Sequence, residues 1–189
     1  MRSETAQLPA VFLDRDGVIV VPEFRDGRSF APTQIEQFQI YSSAPEHLRR
    51  LRTAGYRIVV VTNQPDVGRG IIPVAVVDEM HRRLCEDLPI DLIKVCMHTT
   101  ADGCKCRKPK PGMLLEAAAE LGIDLSRSFM VGDRKSDVEA GRAAGCRTVF
   151  IDLGYTEPRP CDMDVTVRSI KEAADAILQE NEWKKEPRA

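Results

Sequence analysis

Five short runs constrain the fold most. "AVFL" (Ala10 to Leu13), "RIVVVT" (Arg57 to Thr62), "DLIKVC" (Asp91 to Cys96), "SFMVGD" (Ser128 to Asp133) and "RTVFI" (Arg147 to Ile151) are nearly continuous apolar stretches. A strand that is apolar on both faces has to be covered on both faces. Helical patterns lie between them. Ser43, with Glu46 three residues on, has the form of a capping box, followed by an apolar stripe of Ala44, Leu48 and Leu51 that stops at Gly55. Pro73 opens a helix with Val74, Val77, His81 and Leu84 on one side, and Pro111 opens another with Leu114, Ala118 and Leu121, stopped by Gly122. Lys135 to Ala144 reads as a short helix, "DVTV" as a short edge strand, and Ser169 with Glu172 as the cap of a last helix through Leu178. This alternation predicts an α/β fold: a three-layer, Rossmann-like parallel sheet with helices on both faces. It is expected as one domain over residues 1–189, with a frayed tail from about residue 183. Sheets of this kind bind ligands beyond the carboxyl ends of their strands.

Composition narrows the function classes. The chain of 189 residues is 43% hydrophobic and 30% charged, as a soluble globular domain is, and it shows no repeat or low-complexity tract. A net charge of -2 gives no general attraction to nucleic acid or an anionic membrane. "MRSETAQLPA" lacks the apolar core of a signal peptide, and the run "IVVV" is far too short to span a bilayer. A cytoplasmic protein is expected, in which six cysteines point to metal or chemistry before disulfides.

The strand ends carry the chemistry. The first ends in Asp14, Arg15, Asp16 and Gly17, the second in Thr62, Asn63 and Gln64, and the fourth in Asp133, Arg134 and Asp137. Carboxylates brought to one rim repel each other unless a cation or proton intervenes. A hard divalent ion such as Mg2+ suits oxygen ligands of this kind, and a carboxylate beside it is a plausible nucleophile toward phosphorus. Asp14 and Asp16 are two apart, so in an extended chain they point the same way. The third strand runs into "CMHTTADGCKCRKPKPG". There Cys96 with His98 and Cys104 with Cys106 form two i, i+2 pairs, and the residues from Thr99 to Gly103 can reverse the chain between them. Facing pairs make a tetrahedral Cys3His set that suits Zn2+, and four protein ligands make such a site structural. The cations Arg107, Lys108 and Lys110 follow at once, so the metal would hold in place the residues that meet phosphate.

"FLDRDGVI", "VVVTNQ", "CRKPKPG" and "VGDRKSD", in this order, resemble the four motifs of the haloacid dehalogenase superfamily of phosphatases, over about Ala10 to Ile151. The resemblance implies a Mg2+-dependent phosphomonoester hydrolase acting through an aspartyl-phosphate. Asp14 would be the nucleophile, Asp16 the general acid and base, Thr62 a hydroxyl for a phosphoryl oxygen, and Lys108 the cation on the transferring group. Asp133 would complete the Mg2+ site with the side chain of Asp14 and the backbone carbonyl of Asp16. Arg107 and Arg134 would face the rest of the substrate, with Asn63 and Arg69 as further binding candidates and Asp137 as outer support. The metal loop narrows the resemblance to phosphatases of D-glycero-D-manno-heptose 1,7-bisphosphate and of histidinol phosphate. "KPKPGM" is similar to the former and "GDR" with Ser136-Asp137 to the latter; removal of the heptose 7-phosphate is favoured. Met97 stands where these relatives often have proline.

The gaps between motifs are too short for a lid domain. The expected site is open, shielded by the Val18 to Ile40 loop and the metal loop, with Arg107, Lys110 or Arg134 available to a second phosphate. The expected partner is a small sugar phosphate, without nucleic acid or membrane, for a monomer or weak oligomer. The competing reading from another class is a zinc-stabilised binding module with vestigial acids. Arg15 reads as a gate or surface residue, His47 as surface, His81 as the edge of a buried helix face, and Cys85, Cys146 and Cys161 as small core or surface residues.

Overall fold

A computed structural model describes residues 7–183, with side chains to residue 179. The tail expected from about 183 lies outside the described residues, except that the backbone of Trp183 closes the last helix. The five apolar runs all form strands: β1 (Ala10–Leu13), β4 (Arg57–Asn63), β5 (Leu92–Cys96), β6 (Phe129–Gly132) and β7 (Arg147–Ile151). With the edge strand β8 (Val165–Val167) they make a six-stranded sheet in the order β5-β4-β1-β6-β7-β8, every pair parallel. β1 is central, pairing Val11 with Ile58 on one side and with Phe129 on the other.

The helices cover both faces, as the unbroken apolar runs require. Alternate strand residues such as Val11, Leu13, Val60 and Val131 pack in one core with Leu48 and Leu51 of α1 (Ala44–Thr53), Leu84 of α3 (Val74–Asp87) and Ala173 and Ile177 of α6 (Ile170–Trp183). Their neighbours Phe12, Val59 and Met130 pack in the other with Met113 and Leu114 of α4 (Gly112–Leu121) and Ala140 of α5 (Lys135–Ala143). Between β4 and α3 the chain makes one short turn of helix, α2 (Pro65–Gly68), unanticipated because four residues carry no periodicity.

Two local expectations are corrected. Ser43 makes no side-chain bond to the start of α1; its own backbone is helical, so its hydroxyl is not set to cap. The Val18 to Ile40 segment is not one irregular loop. It holds a hairpin of β2 (Glu23–Arg25) and β3 (Arg28–Phe30), turned at Asp26 and Gly27 with φ of 50° and 75°. Positive φ at both turn residues is the two-residue hairpin geometry, for which Asp-Gly is a preferred pair. A 3-10 segment at Ile35–Gln37 completes the excursion. No separate cap domain is present among the described residues, and no helix there is long and apolar enough to cross a membrane.

Candidate active site

The chain runs outward from β1 to β4 and β5, then returns to lay β6 on the other side of β1. That reversal opens a crevice at the carboxyl ends of β1 and β6. Asp14 follows β1 directly and its backbone N–H donates to the Val131 carbonyl at 2.9 Å, which carries the β1–β6 pairing one residue past the strand. Asp133 follows β6, and Asp137 lies in the first turn of α5. One carboxylate oxygen from each of Asp14, Asp133 and Asp137 lies within 4.8 Å of the others, and all three residues are buried. Gly17, at φ +86°, makes this possible: the Asp133 carboxylate fills the space that a Cβ at residue 17 would take.

One cation reaches this group. Lys108 Nζ lies 3.0 Å from Asp14 Oδ1 and 2.6 Å from Asp137 Oδ1, and the side chain is buried. Three carboxylates against one ammonium leave an uncompensated negative charge in a dry place, and the acids register it. Burial, then the charges of Asp14 and Asp137, push Asp133 well above the usual carboxylate range. Burial pushes Asp137 up to about 6, although Lys108 pulls the other way. Burial opposes the Lys108 charge, yet Asp137 and Asp14 hold its pKa above the ordinary value. Asp133 Oδ1 is buried without a hydrogen-bond partner, while its Oδ2 accepts from the Tyr155 hydroxyl at 2.7 Å. An orphaned carboxylate oxygen beside two further carboxylates fits a hard divalent cation such as Mg2+.

Lys108 is carried by the metal loop and pinned to β4. The Asn63 side chain donates to the Lys108 carbonyl and accepts from the Lys108 N–H, both at 3.1 Å. At the same rim the Gln64 N–H donates to the Cys96 carbonyl at 2.7 Å, so the end of β4 is tied to the start of the loop. The buried Thr62 hydroxyl accepts from Gln64 Nε2 at 2.9 Å, and the same amide donates to Asp16 Oδ2 at 2.8 Å.

Asp16 does not join the acidic group. Arg15 Nε lies 3.1 Å from both Asp16 oxygens, and its Nη2 is 3.0 Å from Oδ2. Arg15 itself is 0% exposed, under Met80, His81 and the Phe38 ring. A surface or gating place for Arg15 is therefore corrected; a buried guanidinium has to be paired, and Asp16 is its partner. His47, expected at the surface, is buried against Arg50.

The remaining cations are placed as follows. Arg134 pairs with Glu157 at 3.0 Å and donates to the Ser29 carbonyl at 2.6 Å. Arg69 is exposed and pairs with Asp66 at 3.0 Å. Lys110 donates to the carbonyls of Gly103 and Cys104 across the loop's own turn. Arg107 donates to the His98 carbonyl at 3.3 Å and, with Thr99, Thr100, Lys108 and Lys110, lines a cavity of about 300 Å³ on the loop itself.

In the metal loop, Thr100–Asp102 forms a 3-10 turn and Gly103 reverses the chain, which folds the two cysteine pairs onto each other. Sγ of Cys106 is 3.3 Å from Cys96 Sγ, 3.4 Å from Cys104 Sγ and 3.3 Å from His98 Nδ1, and Cys96 and Cys104 are 3.7 Å apart. A disulfide has its sulfurs about 2.0 Å apart. The edge of a tetrahedron of Zn–S bonds is on the order of 3.8 Å. The four donors thus fit Zn2+.

Sequence reasoning assigned no role to Gln64 or Tyr155. Tyr155 lies in the loop after β7, beyond all four motifs, and tertiary contacts, the β6–β7 pairing among them, bring it to Asp133.

This crevice, with paired acids at β1 and β6 and a buried lysine between them, defines a HAD-like hydrolase, and the HAD-hydrolase-like family model matches residues 105–177. The D-glycero-beta-D-manno-heptose-1,7-bisphosphate 7-phosphatase of Pseudomonas aeruginosa is 42% identical over 149 residues, covering 76% of this chain and 81% of its own. That of Helicobacter pylori is 38% identical, covering 70% and 76%. The crystal structure of D,D-heptose 1,7-bisphosphate phosphatase from B. bronchiseptica, complexed with magnesium and phosphate, superposes with a TM-score of 0.78 at 27% identity, over 92% of this chain and 99% of that one. The chain belongs to the family of the D-glycero-beta-D-manno-heptose-1,7-bisphosphate 7-phosphatases.

Proposed function

We propose that the protein is a Mg2+-dependent phosphomonoester hydrolase that removes the 7-phosphate of D-glycero-D-manno-heptose 1,7-bisphosphate through an aspartyl-phosphate. The observation that carries this reading is the buried Lys108 held between Asp14 and Asp137 at the β1–β6 crevice, beside the orphaned oxygen of Asp133. Asp14 Oδ attacks phosphorus; the new O–P bond forms as the bond to the sugar oxygen breaks. Lys108 and the Thr62 hydroxyl face the phosphoryl oxygens, where charge shifts in the transition state. Asp16, carrying a proton in the substrate complex, turns from Gln64 and gives that proton to the leaving alkoxide. It then takes one from the water that hydrolyses the aspartyl-phosphate, a contribution typically worth about 10²–10⁴-fold. Mg2+ would be held by Asp14, Asp133 and the Asp16 carbonyl, and when bound it screens the carboxylates from the incoming phosphate. Cys96, His98, Cys104 and Cys106 would hold a structural Zn2+.

Arg107 supports a bisphosphate: one residue from Lys108, it is a cation on a cavity of about 300 Å³ lined by the same loop. Asp14→Asn tests the reading. It should abolish Mg2+-dependent phosphate release while circular dichroism and the melting temperature stay near those of the parent. Retained turnover would sink the mechanism. Substrate choice is checked by assaying the heptose bisphosphate and histidinol phosphate side by side, with the larger kcat/KM expected for the former.

A further inference from the structure

Tyr155 reaches the acidic group from an element that none of the four motifs includes. Its hydroxyl donates to Asp133 Oδ2 at 2.7 Å. Its ring sits on Phe24 of the hairpin, with centroids 5.3 Å apart. Two more contacts lock the hairpin to the loop after β7: the Thr156 N–H donates to the Gly27 carbonyl at 3.0 Å, and Arg134 bridges Glu157 and the Ser29 carbonyl. The ring therefore has little freedom, and neither has its hydroxyl.

A carboxylate rotates easily about its last torsion, because the two oxygens are equivalent and the barrier is broad. A fixed donor on one oxygen removes that freedom and commits the other. At Asp133 the oxygen so committed is Oδ1, buried and without a partner, on a carboxylate that has an oxygen within 4.8 Å of those of Asp14 and Asp137. We propose that Tyr155 is a positioning residue for the divalent-cation site: its hydroxyl holds Asp133 Oδ2 so that Oδ1 is presented to the ion, and the β2–β3 hairpin, through Phe24, holds Tyr155. The inference rests on the reading of Asp133 as a Mg2+ ligand. Outer partners of metal ligands typically contribute about 10–100-fold in affinity.

The test is titration of the zinc-loaded protein with Mn2+ without substrate, followed by the EPR signal of the free ion, with displacement by Mg2+. Asp133→Asn should abolish specific binding; if it binds as the parent does, the metal reading fails and the proposal with it. Tyr155→Phe should weaken binding about tenfold. It should also raise the Mg2+ concentration for half-maximal activity by a similar factor, with kcat at saturating Mg2+ within about twofold of the parent. Thr156→Val removes the bond of the Thr156 hydroxyl to the Gly27 carbonyl (3.2 Å), leaves the Tyr155 hydroxyl in place, and should weaken Mn2+ binding less than Tyr155→Phe does. Phe24→Ala, which removes the ring that Tyr155 sits on, should weaken binding by a smaller factor and add nothing on a Tyr155→Phe background. Parent-like affinity in Tyr155→Phe, with binding lost in Asp133→Asn, would overturn the proposal and leave the metal site standing. An equal loss in Thr156→Val would also overturn it, by tracing the effect to loop anchoring. If Tyr155→Phe does not fold, Phe24→Ala decides: unchanged affinity there counts against the relay.

Discussion

Asn63 spends its amide on the backbone of Lys108, one bond in each direction, so the lysine's reach into the acidic group is set from β4. Asn63→Ala removes both bonds and leaves the ammonium–carboxylate pairs to hold the chain alone. Turnover should fall about 10–100-fold, as for small misplacements of a catalytic group, with a lesser change in KM and a nearly unchanged melting temperature; steady-state kinetics and a thermal melt check this. His81 belongs to the same scale. Burial, then the Arg15 charge, lower its pKa from 6.5 to about 4. Above pH 6.5 the ring is neutral in both folded and unfolded chains and costs nothing. As pH falls from 6.5 to about 4 the unfolded chain takes up a proton that the folded chain refuses, so stability falls. The loss should approach roughly 3 kcal/mol at the acid end of that window. Denaturant midpoints of parent and His81→Gln, compared across it, should diverge as the pH drops, with the variant losing less.

At the scale of elements, the metal loop is held by more than its four donors. A Cβ at Gly112, the first residue of α4, would overlap the Lys105 carbonyl oxygen, so the loop lies directly on the helix start. Gly112→Ala should push the loop away, cost about 1–3 kcal/mol as overpacking does, and lower turnover through Lys108; zinc content and kcat measured together check it. The last helix offers a simpler case. The Ser169 hydroxyl accepts from the Glu172 N–H at 3.2 Å. Ser169→Ala should cost about 1 kcal/mol without touching activity, as read by urea denaturation and phosphate release.

At the scale of the whole molecule, the four donors that would hold zinc and the acidic rim share one segment of chain, since Cys106 and Lys108 are two residues apart. Stripping zinc with a strong chelator should lower the melting temperature and cut turnover by at least about tenfold. Zn2+ should restore both, and Mg2+ alone neither; full activity in protein shown by metal analysis to be zinc-free would refute the coupling. Without a cap among the described residues, shielding of the site falls in part to the hairpin, so alterations at its tip should change substrate choice before they change the chemical step.

Much of this architecture was legible in the chain. Val11 to Leu13, Ile58 to Val61 and Phe129 to Val131 can only be covered on both faces, which dictates a parallel sheet and sends chemistry to its carboxyl ends. The pairs Cys96–His98 and Cys104–Cys106 carry their own periodicity, so their convergence follows from local geometry. Arg15, Asp137 and Tyr155 were not legible in this way. Whether Arg15 is solvated or buried under Met80 and His81, whether Asp137 merely starts α5 or shares Lys108, and that Tyr155 touches Asp133 at all depend on contacts across 66, 29 and 22 residues of sequence. Burial and pairing of that kind arise only when separate elements close on one another, and the free energy of a buried charge is decided by what meets it there.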